Sequence, residues 1–224
     1  MTARTIEELG DHLDDSLQWR RLELHALKAE IQSLTPTNAS LPRGRALLRA
    51  TAALMYAHWE GYTKEACQGY LDFVATRRLK FGEVSDAFVL LGALATAGAA
   101  SRGDPSANSK LVELIRRGPD MRAVIQRKGP VNTRSNLRYE TLCEIFDALD
   151  LPLNSFETRA ALIDRSLCDV RNSIAHGRAN FPDRDALLDL HSEVLSLLEN
   201  VRELVLFAAR TARYKATTSD SDLS

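Results

Sequence analysis

The stretch from about Asp183 to Tyr214 constrains the fold most. Leu187, Leu190, Val194, Leu197, Val201, Leu204 and Ala208 follow one another in alternating three- and four-residue steps. That spacing lines up one face of an α-helix. Such a seam has to pack along another long helix, inside a bundle or across a dimer. Elsewhere the chain shows no sustained period-two alternation and no Asn-Gly or Asp-Gly hairpin between β-branched runs. The reading is an all-α helical bundle with long helices at both ends and an irregular middle.

Thr5 to Leu34 reads as a first, charged and amphipathic helix, followed by a loop containing Pro36 and Pro42. A long second helix runs from about Arg43 to Arg77, with Met55, Trp59, Tyr62, Ala66 and Phe73 at helical spacing. Ser85 is the N-cap of a small-residue helix reaching Ala99. Ser101 to Ser109 is a loop by composition. Two short helical pieces follow, broken at Gly118-Pro119, and Gly129-Pro130 opens another loop. Leu137 to Leu149 is helical and stops at Pro152. Ser155 caps the next helix, which runs to about His176 with Gly177 as its stop. Residues 1–216 read as a single domain, and the polar end 217–224 as a disordered tail.

With 224 residues and 45% hydrophobic content the chain can bury a substantial core. Its 29 basic and 30 acidic residues nearly cancel, which argues against coating nucleic acid by bulk charge. A local excess remains in an insert of about 102–140. Arg102, Lys110, Arg116, Arg117, Arg122, Arg127, Lys128, Arg134 and Arg138 face only Asp104, Glu113, Asp120 and Glu140 there. This is either a solvated basic face or a phosphate-contacting surface. Tyr139 is its one aromatic, so base stacking from the insert is limited.

Three scattered cysteines without CxxC spacing suit a reducing cytoplasm and give no disulfide framework. The start carries no apolar leader, and Ala87 to Ala100 is too short for a membrane span of roughly 20 residues. No His-x-x-x-His pair or carboxylate cluster offers a metal site, and no glycine-rich phosphate loop calls for a nucleotide cofactor.

On an ideal helix over Ser155 to His176, Ala160, Ile163, Leu167, Val170 and Ile174 form one apolar stripe. Arg165, Asp169, Asn172 and His176 fall on the opposite, polar face, with Asn172 and His176 one turn apart. Arg171 comes off nearer the edge of the buried stripe, about 140° from His176. The two side chains can meet only if the helix ends near Ala175, or if a second subunit supplies one of them. Gly177 makes the early end credible, because glycine adopts the left-handed conformation that terminates helices.

The segment Leu167-Cys-Asp-Val-Arg-Asn-Ser-Ile-Ala-His-Gly-Arg178 resembles the signature of the HEPN superfamily. That signature is an Arg, often followed by Asn, then a His after a spacer of four to six residues; here the spacer is four. Tyr56-Ala-His-Trp-Glu-Gly-Tyr62, with Tyr70-Leu71 beyond it, looks like the Trp-Glu-Gly segment of the RiboL-PSP (MAE-type) branch. The resemblance implies a bundle that dimerises symmetrically so that two motifs face one composite cleft. It also implies metal-independent endoribonuclease activity without a cofactor, deployed in toxin–antitoxin and phage-defence systems with an antitoxin or regulatory protein as partner.

The residue chemistry is compatible. Cleavage by the 2′-hydroxyl needs one group to take its proton and another to protonate the 5′-oxygen. A histidine with an ordinary pKa of about 6.5 can do either near neutral pH, which suits His176. Arg171 suits the charge of the phosphorane, Asn172 would orient phosphate or imidazole, and Glu60 is a candidate acidic participant. Arg178, Arg116, Arg117, Arg127 and Lys128 are candidates for RNA contact. Plainer readings stand beside these. His176 can be a helix C-cap, Arg171 a surface ion pair, and Glu60 a helix pair with Lys64. The alternative function is a non-catalytic helical module that binds RNA, a nucleotide or a partner protein.

Overall fold

The computed structural model describes residues 3–217, which form eight α-helices and no strand. The polar tail read as disordered lies, beyond residue 217, outside the described residues. Helix α1 (Ile6–Gln32) begins where Thr5 Oγ1 accepts the Glu8 N–H at 3.1 Å. Helix α8 (Arg184–Arg210) begins where Asp183 Oδ1 accepts the N–H groups of Asp185 and Ala186. Both follow the N-cap rule that a short oxygen side chain satisfies a first-turn donor. Between them in sequence, α3 (Pro42–Thr76) is the longest element.

Helices α1, α3 and α8 pack on one another and enclose the core. Every member of the Leu187-to-Ala208 seam is buried there. The seam is therefore used inside the bundle, which answers the choice the spacing left open. Polar contacts tie α1 to α3 as well: Ser16 Oγ and Arg20 Nη2 both donate to Glu65 Oε2, at 2.7 and 3.1 Å. Gly61 permits this, since a Cβ there would lie 3.3 Å from Arg20 Nη2. The glycine of Trp-Glu-Gly thus serves the α1–α3 approach, while its two neighbours serve the site.

His191 of α8 is buried against the His25 ring, 5.2 Å away between centroids. Burial, with Lys28 and His25 adding to it, pushes its pKa down to about 4. A base whose folded pKa lies below its unfolded value near 6.5 destabilises the fold as it takes up a proton. His191 therefore costs nothing above about pH 6.5 and progressively more as pH falls toward 4. Between pH 7 and pH 5 the loss is about 2 kcal/mol. Urea midpoints at the two pH values measure it, and His191→Leu should flatten the dependence; an unchanged slope in that variant would clear His191.

The middle of the chain departs from the sequence reading in three places. Pro36–Ser40, expected as loop, forms a one-turn helix (α2) capped by Thr35, whose Oγ1 accepts the Asn38 N–H. The loop expected over Ser101 to Ser109 closes early. After α4 (Asp86–Ser101), Asp104 caps α5 (Pro105–Arg117) by accepting from Ser106 and Ala107. Asp-Pro-Ser is a cap followed by proline at the first helical position, a start signal that composition had masked. Gly118-Pro119 itself lies in a 3-10 turn, Gly118–Asp120, and the second helical piece expected beyond it is not formed.

The third departure matters most. Helix α6 (Tyr139–Ala148) is followed by a segment that Ser155 does not cap; the chain turns through 3-10 geometry at Glu157–Arg159. Phe156 anchors it instead, fully buried edge-on to Phe146 at 5.4 Å and beside Trp59. Then Leu162–Asp169 is π-helical, and only Val170–Ala175 (α7) is α-helical. A π-helix is wider than an α-helix, so an ideal wheel drawn across it drifts out of phase. Ile163 and Leu167 are buried as expected, but Cys168 joins them, while Val170 and Ile174 are only partly covered. Among the described residues no helix is long and apolar enough to cross a membrane.

Candidate active site

The peptide of Leu137 is clasped from two sides. From α3, Tyr56 Oη accepts its N–H at 2.8 Å and Trp59 Nε1 donates to its carbonyl at 3.3 Å. From the π-helical turn, the Cys168 thiol donates to the same carbonyl at 3.2 Å. Burial pushes the Cys168 thiol up to about 12, so it serves as a donor and not as a thiolate nucleophile. Burial also raises Tyr56, with the Glu60 carboxylate adding and the Leu137 N–H opposing, which keeps the phenol neutral. Asp164 Oδ1 accepts the Tyr139 N–H, and Asp169 pairs with Arg138. The wide turn thus fastens both ends of the strip 137–139.

Just upstream the backbone reverses through Arg134 and Ser135, both left-handed at φ of 54° and 56° without being glycine. Two consecutive residues of this kind are held at a cost, which Asn132 offsets by accepting the Arg134 N–H at 2.9 Å. The reversal aims two acceptors at α7. Ser135 O receives Arg171 Nη2 at 2.9 Å, and Asn136 Oδ1 receives Asn172 Nδ2 at 3.1 Å.

Arg171 is half-buried and tightly defined. Its Nη1 donates to Asn172 Oδ1 at 3.0 Å, its Nη2 lies 3.7 Å from Glu60 Oε2, and its Cζ sits 4.3 Å over the Tyr56 ring. Glu60 therefore faces Arg171 across the helices and is not paired with Lys64. Asn172, expected on an exposed polar face, is half-buried between Arg171 and Asn136. The out-of-phase π turn places it there.

His176 lies at the end of α7 and is exposed. Gly177 adopts φ +70°, its N–H bonds Ile174 O, and the Arg178 N–H bonds Ser173 O, both at 3.0 Å. These are the two crossed bonds of a Schellman stop, placed where the sequence put it. Among the described residues the His176 side chain makes no hydrogen bond or ion pair. Arg49 fixes the chain just after it, donating to the carbonyls of Arg178 and Asn180 at 2.7 and 2.6 Å. Nothing in the sequence marked Arg49, Ser135 or Asn136, because three of the four contacts involved are to backbone carbonyls and the fourth depends on a loop conformation.

The candidate RNA contacts come from different elements. Arg178 adjoins the site, and Arg116 and Arg117 end α5, which packs on α4, whereas α7 packs on α3. Arg127 reaches Asp72 of α3 at 3.8 Å, and Lys128 is exposed beyond it.

A helical bundle that ends one helix on Arg-Asn-x-x-x-His beside a Trp-Glu-Gly segment has the features of a HEPN domain. The RiboL-PSP-HEPN family model matches residues 15–206, from within α1 to within α8, and the chain belongs to that family. No curated protein and no solved structure matches it.

The Tyr56 hydroxyl holds the strip that presents Ser135 to Arg171. Tyr56→Phe keeps the ring beneath the guanidinium but leaves the buried Leu137 N–H without an acceptor. We expect a loss of about 1–3 kcal/mol, read as a lower urea midpoint at unchanged slope. An unshifted midpoint would show that the hydroxyl is not the anchor.

Proposed function

We propose that this protein is a metal-independent endoribonuclease of a toxin–antitoxin or anti-phage defence system, acting in the cytoplasm. The observation that carries the reading is the contrast at the end of α7. Arg171 is held in a fixed plane by Ser135, Asn172, Tyr56 and Glu60, while His176, five residues on, is exposed and uncommitted. Phosphate recognition needs a rigid fork, and proton transfer needs an imidazole free to reach the 2′-hydroxyl or the 5′-oxygen. Glu60 and Asn172 act as positioning residues for the guanidinium, and no step calls for a metal or cofactor. RNA is the substrate, Arg178 a neighbouring phosphate contact, and an antitoxin or regulatory protein the further partner.

The active form in this proposal is a symmetric homodimer. Trp19 and Leu22 of α1 and Leu54 of α3 are exposed at 51%, 66% and 36%, and Ala50 and Ala57 beside Leu54 are exposed too. Ala57 lies one turn from Glu60, so a second copy on this face borders the site. It would bring a second His176 toward Arg171.

One observation favours the alternative, a non-catalytic module binding RNA, a nucleotide or a protein. Arg171 already has two hydrogen-bond acceptors and a carboxylate 3.7 Å away, as a purely structural arginine would. Expression of the wild type, His176→Ala and Arg171→Ala in cells separates the two. The proposal expects growth arrest and RNA fragments ending in 2′,3′-cyclic phosphate and 5′-hydroxyl for the wild type alone. Fragments with 3′-hydroxyl and 5′-phosphate, or equal cleavage by the variants, would overturn it.

A further inference from the structure

At the C-terminal end of α3, five arginines converge on one cavity. Arg4, Arg77, Arg78, Arg122 and Arg127 line a space of about 600 Å³ to which no carboxylate contributes. Asp72 lies 3.8 Å from Arg127 Nε, and Glu8 Oε2 accepts the backbone N–H of Arg4 at 2.6 Å. The other four guanidinium groups form no ion pair among the described residues, although acidic residues outnumber basic ones in the chain. Arginines on an ordinary solvated face spread apart; five around one concavity raise its potential and repel one another.

The cavity is built, since each arginine is fixed at its backbone. Arg77 donates through Nη2 to Arg4 O at 2.7 Å, stacks 4.0 Å over Phe73, and keeps a buried Nε without a partner. Arg78 is left-handed at φ +56°, turning the chain off the helix end. Arg122 sits in a short antiparallel bridge with Lys80, flanked by bonds from Phe81 N–H to Met121 O and from Ala123 N–H to Leu79 O, both 2.9 Å. Gln68 Nε2 holds Arg127 O at 3.0 Å. Arg77 and Arg127 are thus partly engaged, while the guanidinium groups of Arg4, Arg78 and Arg122 have no side-chain partner among the described residues. The negative end of the α3 dipole, about half a charge, offsets little of this.

We propose that this cavity is a phosphate-binding site for a polyanion. A single carboxylate would leave most of the charge unmatched, whereas successive phosphates present many oxygens to planar guanidinium forks. Two sources share that chemistry: backbone phosphates of an RNA strand, and the phosphate chain of a free nucleotide. The first rests on the ribonuclease reading. It places a second anchor about 25 Å along α3 from Glu60, so that a strand several nucleotides long engages both.

The test uses the full chain carrying His176→Ala, so that RNA is bound without being cut. Arg78→Ala/Arg122→Ala is compared with Arg43→Ala/Arg210→Ala, an equal charge loss at exposed positions elsewhere. The probes are a labelled single-stranded RNA and inorganic tripolyphosphate. With RNA as the source, Kd rises roughly tenfold for the cavity pair, and the salt slope falls by about 1.4 for two lost contacts. With a nucleotide as the source, tripolyphosphate raises the melting temperature of the parent, and the cavity pair loses that shift while RNA affinity stays put. If neither probe distinguishes the cavity pair from the control pair, the site does not exist. Binding does not depend on cleavage, so a wild type that cuts no RNA would sink the ribonuclease reading and leave this one standing.

Discussion

His176→Ala is expected to lower the rate of RNA cleavage by about 10²–10⁴, the usual contribution of a positioned proton-transfer group. Arg171→Ala should cost about 10²–10³, the loss of one preorganised charge donor to the phosphorane. Arg171→Lys should not recover the activity. The ammonium cannot bond Asn172 Oδ1 and Ser135 O with two parallel donors while lying flat over Tyr56. Mixing the two inactive alanine variants then asks which subunit supplies which group. If Arg171 of one protomer works with the histidine of its partner, half of a freely exchanged mixture is heterodimer, each with one intact pair. Activity returns to about a quarter of wild type. If both groups come from the same protomer, no heterodimer holds an intact pair and the mixture stays inactive. A third outcome, cleavage by either single variant at the wild-type rate, would remove that residue from the mechanism.

The site was only partly legible in the sequence. The stop of α7 was readable because Gly177 acts through its own backbone conformation, a local property. The α8 seam was readable because it repeats over many turns. The partnership of Glu60 with Arg171 was not derivable, since helical spacing offered Lys64 as an equally near partner and only the packing of α3 on α7 decides. The half-buried place of Asn172 was misread outright. An ideal wheel assumes one pitch from Ser155 to His176, and eight residues of π-helix break that assumption without a glycine or proline to announce them. The acceptors that fix Arg171 lie in the left-handed reversal at Arg134 and Ser135, where composition gives no warning. Long-range choices of partner and local departures from regular geometry are what the sequence withholds here. Pi-helical turns recur at functional sites, and this one ends two residues before Arg171.

Trp59→Ala should be the most damaging single change to the fold. The indole is fully buried and packs beside Phe156, with ring centroids 6.3 Å apart. Removing so large a side chain from a closed core costs about 3–5 kcal/mol. For a chain of this length that lowers the melting temperature by roughly 6–20 °C. The substitution also strips a donor from Leu137 O, leaving Cys168 alone on it. The damage should therefore reach the site as well, through the strip that carries Ser135 toward Arg171. Trp59→Phe separates the two effects, because it retains most of the apolar volume and loses only the N–H. It should recover much of the stability and yet remain slower in cleavage than the wild type at a temperature where both are folded. Equal activity for Trp59→Phe and wild type would show that the indole bond to Leu137 does not help to hold Arg171, and that Tyr56 and Cys168 suffice. A Trp59→Ala protein melting within a degree or two of the wild type would mean that the core can collapse around the missing ring. That would contradict its position between α3 and the anchored Phe156.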